Sequence, residues 1–340
     1  MQPFLRRQVE TDGQASSGLS DNPALASLLG STDWLNSSPL TPTDLQGRVV
    51  LVSFWTYTCI NWLRVQPHLR AWSERYGGQG LVVIGVHTPE FDFERDVDNV
   101  RRAAKYLRVD YPIALDRDYV VWDAFGNRYW PALYLIDGHG QFRHHRFGEG
   151  DYVRSERVIQ QLLVESGARG IGQELSQVDA QGVEADADWN SLISNENYLG
   201  YARTQRFAST EGVRRDTRYR YGVPTLLQRD HWAIAGEWTM RQQAVVLHEA
   251  EGRIAYRFHA RDLHLVMTPS AQEEPVRFRV TLDGQQPGAS HGADANADGD
   301  GTVAEPRLYQ LLRQTGAVTD RTFEITFLDP GIQVYAFTFG

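Results

Sequence analysis

The sequence predicts an α/β domain followed by an all-β domain, and three observations carry that prediction. Two continuous apolar runs, Val49 to Trp55 and Leu81 to His87, alternate with segments of helical spacing, as strands buried on both faces of a sheet do. A stretch without apolar period, Gly167 to Asn190, then interrupts the pattern and reads as a linker. Beyond it come eight short alternating segments separated by turn residues, the pattern of a jelly-roll-like β-sandwich. A chain of 340 residues fits two such domains.

Taken in order, residues 1–21 are polar and aperiodic and read as a disordered lead-in; organised sequence spans 22–166. Val49 to Trp55 is a strand, and Ile60 to Tyr76 is a helix with Pro67 inside it, ended by Gly77, Gly78 and Gly80. Leu81 to His87 is the second strand and Asp96 to Leu107 the next helix. A short strand follows at Tyr111 to Asp116, then a helical turn at Tyr119 to Phe125. Ala132 to Asp137 and Phe142 to Phe147 form a hairpin about Gly138 to Gly140, and Arg154 to Ser166 is an amphipathic covering helix. The sandwich domain occupies 191–340, after the linker 167–190.

A net charge of −9 excludes a broad electrostatic footprint for nucleic acid or anionic lipid. The N-terminal run has no apolar core of a signal peptide, and no later run reaches the roughly 18 apolar residues of a spanning helix. As written, the expected location is cytoplasmic, which also suits a chain with one cysteine.

That cysteine, Cys59, stands where the first strand breaks into a helix, and a helix N-terminus favours thiolate. Three residues on is Trp62, so no disulfide can close within the chain.

The order of elements from Val49 to Glu165 resembles the thioredoxin fold, and the motifs resemble its TlpA/DipZ-like branch, related to the AhpC/TSA redoxins. Trp55-Thr56-Tyr57-Thr58-Cys59-Ile60-Asn61 matches that branch, with Trp62 in place of its second cysteine. Pro67 matches the proline of the active-site helix, and Trp130-Pro131 matches the cis-proline facing the cysteine. The segments Gly85 to Glu94 and Phe147 to Tyr152 have the same character. Leu308 to Gln314 and Phe323 to Gly340 resemble the C-terminal module of DipZ-type proteins, which looks like a carbohydrate-binding β-sandwich.

The resemblance implies a thiol-disulfide oxidoreductase working through one cysteine, with protein thiols or disulfides, or glutathione, as partners and no required cofactor. It places Cys59, Thr56, Trp62, Pro131 and Glu90 in the catalytic region and Trp55, Trp130 and Pro131 beside the substrate. Glu90 reads either as a proton acceptor for the thiol or as a solvated loop carboxylate. Ser53 occupies the strand position of the buried aspartate found in thioredoxins. Two rival readings stand beside the oxidoreductase: a redox-inactive binding scaffold, and a one-cysteine peroxidase built on Thr56-x-x-Cys59. Relatives are often membrane-anchored or exported.

Residues 294–305 fit D-x-[DN]-x-[DN]-G-x5-E, the spacing of a calcium loop. Asp294, Asn296, Asp298, Asp300, Thr302 and Glu305 would supply the oxygens, although flanking helices are missing. The other reading is an acidic hairpin loop held by its own Asx turns. For sugar binding the sandwich offers Trp232, Trp238 and Tyr256 as platforms, with core packing as their competing use.

Overall fold

A computed structural model describes residues 22–31, 33–269 and 274–340, so the lead-in expected at 1–21 lies outside the described residues. The first half contains α1 (Pro23–Leu29), β1 (Trp34–Leu35), α2 (Pro42–Leu45), β2 (Val49–Trp55), α3 (Ile60–Tyr76) and β3 (Leu81–His87). It continues through α4 (Val97–Tyr106), β4 (Ile113–Leu115), α5 (Val120–Ala124), β5 (Ala132–Ile136), β6 (Phe142–Phe147) and α6 (Tyr152–Glu165). Its six strands lie in the order β1-β4-β3-β2-β5-β6, with β2 parallel to β3 and antiparallel to β5.

Every residue of β2 is buried, because helices cover both faces of the sheet centre. One face packs Leu51 and Trp55 against α3 and α6; the other packs Val50, Val52 and Phe54 against α1 and α5. Gly85 in β3 leaves room for the Trp55 indole, since a Cβ there would lie 2.8 Å from Trp55 Nε1. Asp96 caps α4 by accepting from the Asp98 and Asn99 N–H groups, which sets that helix one residue later than its apolar spacing predicts. Pro67 lies inside α3, and the helix runs on through it.

The second half holds β7 (Asn197–Tyr198), β8 (Arg218–Tyr221), β9 (Trp232–Met240), β10 (Val245–Leu247), β11 (Gly252–Phe258) and β12 (Asp262–Thr268). It ends with β13 (Val276–Leu282), β14 (Asp300–Val303), β15 (Arg307–Arg313), β16 (Arg321–Phe327) and β17 (Gln333–Phe339). Nine strands follow one hydrogen-bonded path, β14-β13-β16-β11-β9-β10-β17-β12-β15, with β7 beside β17 and β8 beside β9.

Strand β9 turns this path on itself. Its first part pairs with β11 and its last part with β10, with Gly236 between them at φ +100°. A side chain there would be strained and would press on Gly252 Cα, 3.1 Å from the added Cβ. The two halves of the path enclose one core containing Trp232, Trp238, Tyr256, Phe278, Phe323 and Phe337. Trp232, Trp238 and Tyr256 are therefore no sugar platform: all three are fully buried, and burying so much aromatic surface is what closes this core.

The stretch read as a linker is held as a strap against the first domain. Ser176 donates from N and Oγ to Glu156 at 2.7 and 2.8 Å, and Arg70 binds Glu184 at 3.0 Å. On the other side, Arg313 Nη2 donates to the Gly182 carbonyl at 3.0 Å. Apolar periodicity is blind to such polar docking. Among the described residues, no helix is long and apolar enough to cross a membrane.

Candidate functional site

The end of β2 delivers Cys59 to the rim of the first domain. Its N–H donates to the Thr56 carbonyl at 3.2 Å, its backbone is extended, and it forms the N-cap of α3. Across the rim the Trp130–Pro131 peptide is cis and leads into β5, while Trp130 Nε1 donates to the Thr88 carbonyl at 3.1 Å.

Cys59 faces a cavity of about 350 Å³ that the second domain roofs. The first domain contributes Cys59, Asn61, Glu90 and Trp130 to its wall. Trp189, Ile193, Glu196, Tyr198 and Phe339 come from the strap and the β domain. Among the described residues, no basic side chain lines it.

Within that wall, Tyr198 joins the two carboxylates, its hydroxyl reaching Glu90 Oε1 at 2.6 Å and Glu196 Oε2 at 3.0 Å. Arg203 binds Glu90 at 2.9 Å while its guanidinium lies 3.5 Å from the centre of the Tyr198 ring. Glu90 is thus no solvated loop carboxylate; its side chain is only 10% exposed and is held across the domain junction.

The helix N-terminus alone predicts an acidic thiol, and the site reverses the sign. Burial pushes the Cys59 thiol well up, and the Glu196 and Glu90 carboxylates add to the rise. The Trp62 and Asn61 backbone N–H groups at the start of α3 bond the sulfur and oppose them, without prevailing.

Trp62 is not among the residues lining the cavity. The indole is fully buried and stacks on Trp55 with ring centres 4.2 Å apart, in the core cluster against which Cys59 packs, and the Trp62 backbone N–H bonds the sulfur. Thr56 and Trp55 are likewise fully buried and lie outside the cavity wall. Ser53 is buried in β2, its hydroxyl without a partner. His87 stacks on Tyr57 and meets Trp55 edge-on, and burial pushes it down to about 3, so it is neutral.

Glu94 is the carboxylate that the sequence reading passes over. It is fully buried and accepts from Thr58 Oγ1 at 2.6 Å and from the Glu90 and Phe91 N–H groups at 2.7 and 2.9 Å. It therefore ties the Cys59 turn to the loop that carries Glu90. The Phe91-x-x-Glu94 spacing, that of an acid closing a helix start, was the signal available. Glu196, Tyr198 and Arg203 offered none, because they reach the site from more than a hundred residues away.

Burial raises Glu94 to about 7, against the pull of its hydrogen bonds. A carboxyl raised on folding binds more protons in the folded state, so its contribution is full below its ordinary value near 4.3 and lost as pH climbs through 7. The stability of the protein relative to its Glu94→Gln variant is expected to fall by up to about 3 kcal/mol between roughly pH 4.5 and 7.5. Calorimetry of both proteins across that range checks this, and parallel curves would contradict it.

The acidic loop is built as a hairpin. Asp300 begins β14 opposite Arg279 of β13 and binds it at 2.7 Å, and Asp294 is held by Arg307 at 2.6 Å and by the Gln310 N–H at 2.7 Å. Asn296 Oδ1 accepts from the Asp300 N–H four residues on, across the turn, at 2.9 Å. Among the described residues, no three His, Cys, Asp or Glu side chains are gathered to hold a metal.

Comparison with known proteins agrees with this architecture. The AhpC/TSA family model matches residues 33–145, and a model described as thioredoxin-like C-terminal domain matches residues 194–340. Protein DipZ of Mycobacterium bovis is 34% identical over 318 residues, which is 92% of this chain and 42% of that protein. The chain thus spans about two fifths of the length of the DipZ relatives. The thiol-disulfide oxidoreductase YkuV of Bacillus subtilis is 29% identical over 139 residues, 41% of this chain and 93% of its own. A thioredoxin-like protein solved in its oxidised form aligns at 30% identity over 39% of this chain and 88% of its own, with a TM-score of 0.36. The first half of the chain thus matches the AhpC/TSA family and the second the thioredoxin-like C-terminal domain, and the two together are similar to protein DipZ.

Proposed function

We propose that the chain is a thiol-disulfide exchange protein acting through Cys59 alone. The observation that carries this reading is the seating of Cys59 at the start of α3, in the wall of a cavity that Trp130 also lines and that is large enough for a substrate segment. The Cys59 sulfur attacks one sulfur of a substrate disulfide; a new S–S bond forms, the old one breaks, and the other substrate sulfur leaves. The Cys59 proton passes to a wall carboxylate, Glu196 or Glu90, and from there to the leaving thiolate. No second cysteine resolves the product, so a separate thiol must release it. Trp130 and Pro131 border the substrate, and the Trp62 N–H holds the sulfur.

The raised thiol favours the rival reading, a redox-inactive scaffold, and sets the test. Native protein incubated with a small disulfide and weighed intact is expected to gain one half-disulfide, at a rate still rising above pH 9, and Cys59→Ser to gain none. A native chain that gains nothing at any pH, while the urea-unfolded chain is labelled completely, would leave the scaffold as the better account. Neither sugar nor calcium enters the proposal: the aromatic residues named for the first are core, and a calcium ion at the acidic loop would compete with Arg279 and Arg307.

A further inference from the structure

The second domain does more than roof the thiol; it sets the charge of the space above it. Of the charged side chains in the cavity wall, both are carboxylates, Glu90 and Glu196. The Tyr198 hydroxyl bonds both, which fixes them on the same side of the opening. Arg203 approaches Glu90 and stacks on Tyr198 and Phe91, outside the wall, so it pairs directly with Glu90 and acts on Glu196 only at longer range. The rest of the wall is uncharged: Asn61, Ser194, Asn195 and Thr338 are polar, the others apolar or aromatic, and its indoles belong to Trp130 and to Trp189, which is 61% exposed. Carboxylates and indole faces are both partners for a cation, and neither suits an anion.

We infer that the Cys59 cavity selects disulfides carrying positive charge beside the sulfur, as in a basic protein segment, and rejects anionic ones such as glutathione disulfide. This rests on the exchange reading above. An incoming cationic disulfide meets Glu196 and the indoles before its sulfur reaches Cys59, whereas the carboxylates of glutathione would face Glu196 and Glu90, with Arg203 already bound to Glu90. The rise that the same two carboxylates impose on the thiol has the same origin. A cation seated between them would also draw the thiol back toward ionisation, so the preferred substrate would help to activate its own attacker.

Three disulfides of similar size test this: cystamine, which is dicationic; bis(2-hydroxyethyl) disulfide, which is neutral; and glutathione disulfide, which is anionic. Adduct formation at Cys59 is timed by intact mass for the native protein and, as a reference for intrinsic reactivity, for the same chain unfolded in urea. After that normalisation cystamine is expected to outpace glutathione disulfide by at least about tenfold at low salt, with the neutral reagent between. The preference should shrink as salt is raised from about 0.05 to 0.5 M. With each rate taken relative to that of the neutral reagent on the same protein, Glu196→Gln should lose most of the preference and Glu196→Arg should invert it. Adducts with all three reagents in the proportions of the unfolded chain, insensitive to salt, would overturn the charge inference and leave the exchange reading standing. Absence of adducts with all three would overturn the exchange reading itself.

Discussion

Arg64→Met is expected to destabilise the protein by about 3–5 kcal/mol at pH 8 and by distinctly less at pH 5. Arg64 leaves α3 one turn beyond the Cys59 cap and is 1% exposed; its Nη1 binds Glu149 at 2.9 Å and its Nη2 reaches the Phe339 carbonyl at 3.3 Å. Glu149 is 6% exposed, and burial holds its carboxyl above the usual range despite the guanidinium beside it. Removing the arginine leaves that carboxylate buried and unpaired, so it will be protonated where pH allows. Its folded value then rises further above the unfolded one, and a raised carboxyl contributes stability that is lost as pH increases. The deficit must therefore grow from pH 5 to pH 8. Urea unfolding at the two pH values measures it, and Arg64→Met/Glu149→Gln should recover most of the loss by removing the stranded charge. Equal deficits at both pH values, or a double variant no better than the single one, would mean that the pair is not the origin of the effect.

The pair also shows which parts of this molecule a sequence can disclose. β2 and β3 were plain because strands covered on both faces read as unbroken apolar runs, and α3 because the run breaks at Cys59. Pro131 was found through its place before β5. None of these depends on what the other half of the chain does. Arg64 looked like any helical arginine, since its partner carbonyl at Phe339 lies 275 positions away. The sign of the Cys59 shift failed in the same way: the helix start is local and legible, but the burial that chiefly raises the thiol, and the Glu196 carboxylate that adds to it, depend on the tertiary fold. The acidic loop fits its pattern residue by residue, yet strand register puts Arg279 opposite Asp300, and register is not written in a spacing motif. Trp232, Trp238 and Tyr256 are aromatic in an alternating strand, and which face points inward was the very fact needed.

Restoring the missing cysteine supplies the other large effect, and the two halves of the result should pull apart. In Trp62→Cys the new thiol stands three residues into the helix from Cys59, and helical neighbours at that spacing have Cβ atoms about 5–6 Å apart, a separation a small shift at the helix start can close to a disulfide. The wild-type adduct, which waits for an outside thiol, should become short-lived, and the chain should collect as an internally oxidised species two mass units lighter. The same substitution empties a fully buried site. The Trp62 indole carries no hydrogen bond and serves the core by stacking on Trp55, which in turn packs edge-on against His87. Losing that volume should cost about 3–5 kcal/mol in the reduced protein, and Trp62→Phe should cost less because it keeps a ring against Trp55. Urea unfolding under reducing conditions gives the stability and intact mass gives the adduct lifetime. A Trp62→Cys protein as stable as the parent would show that the core does not depend on this stack. An adduct as persistent as the parent's would show that residue 62 faces too far inward to reach the sulfur, in which case the tryptophan replaces a role the helix could not have served.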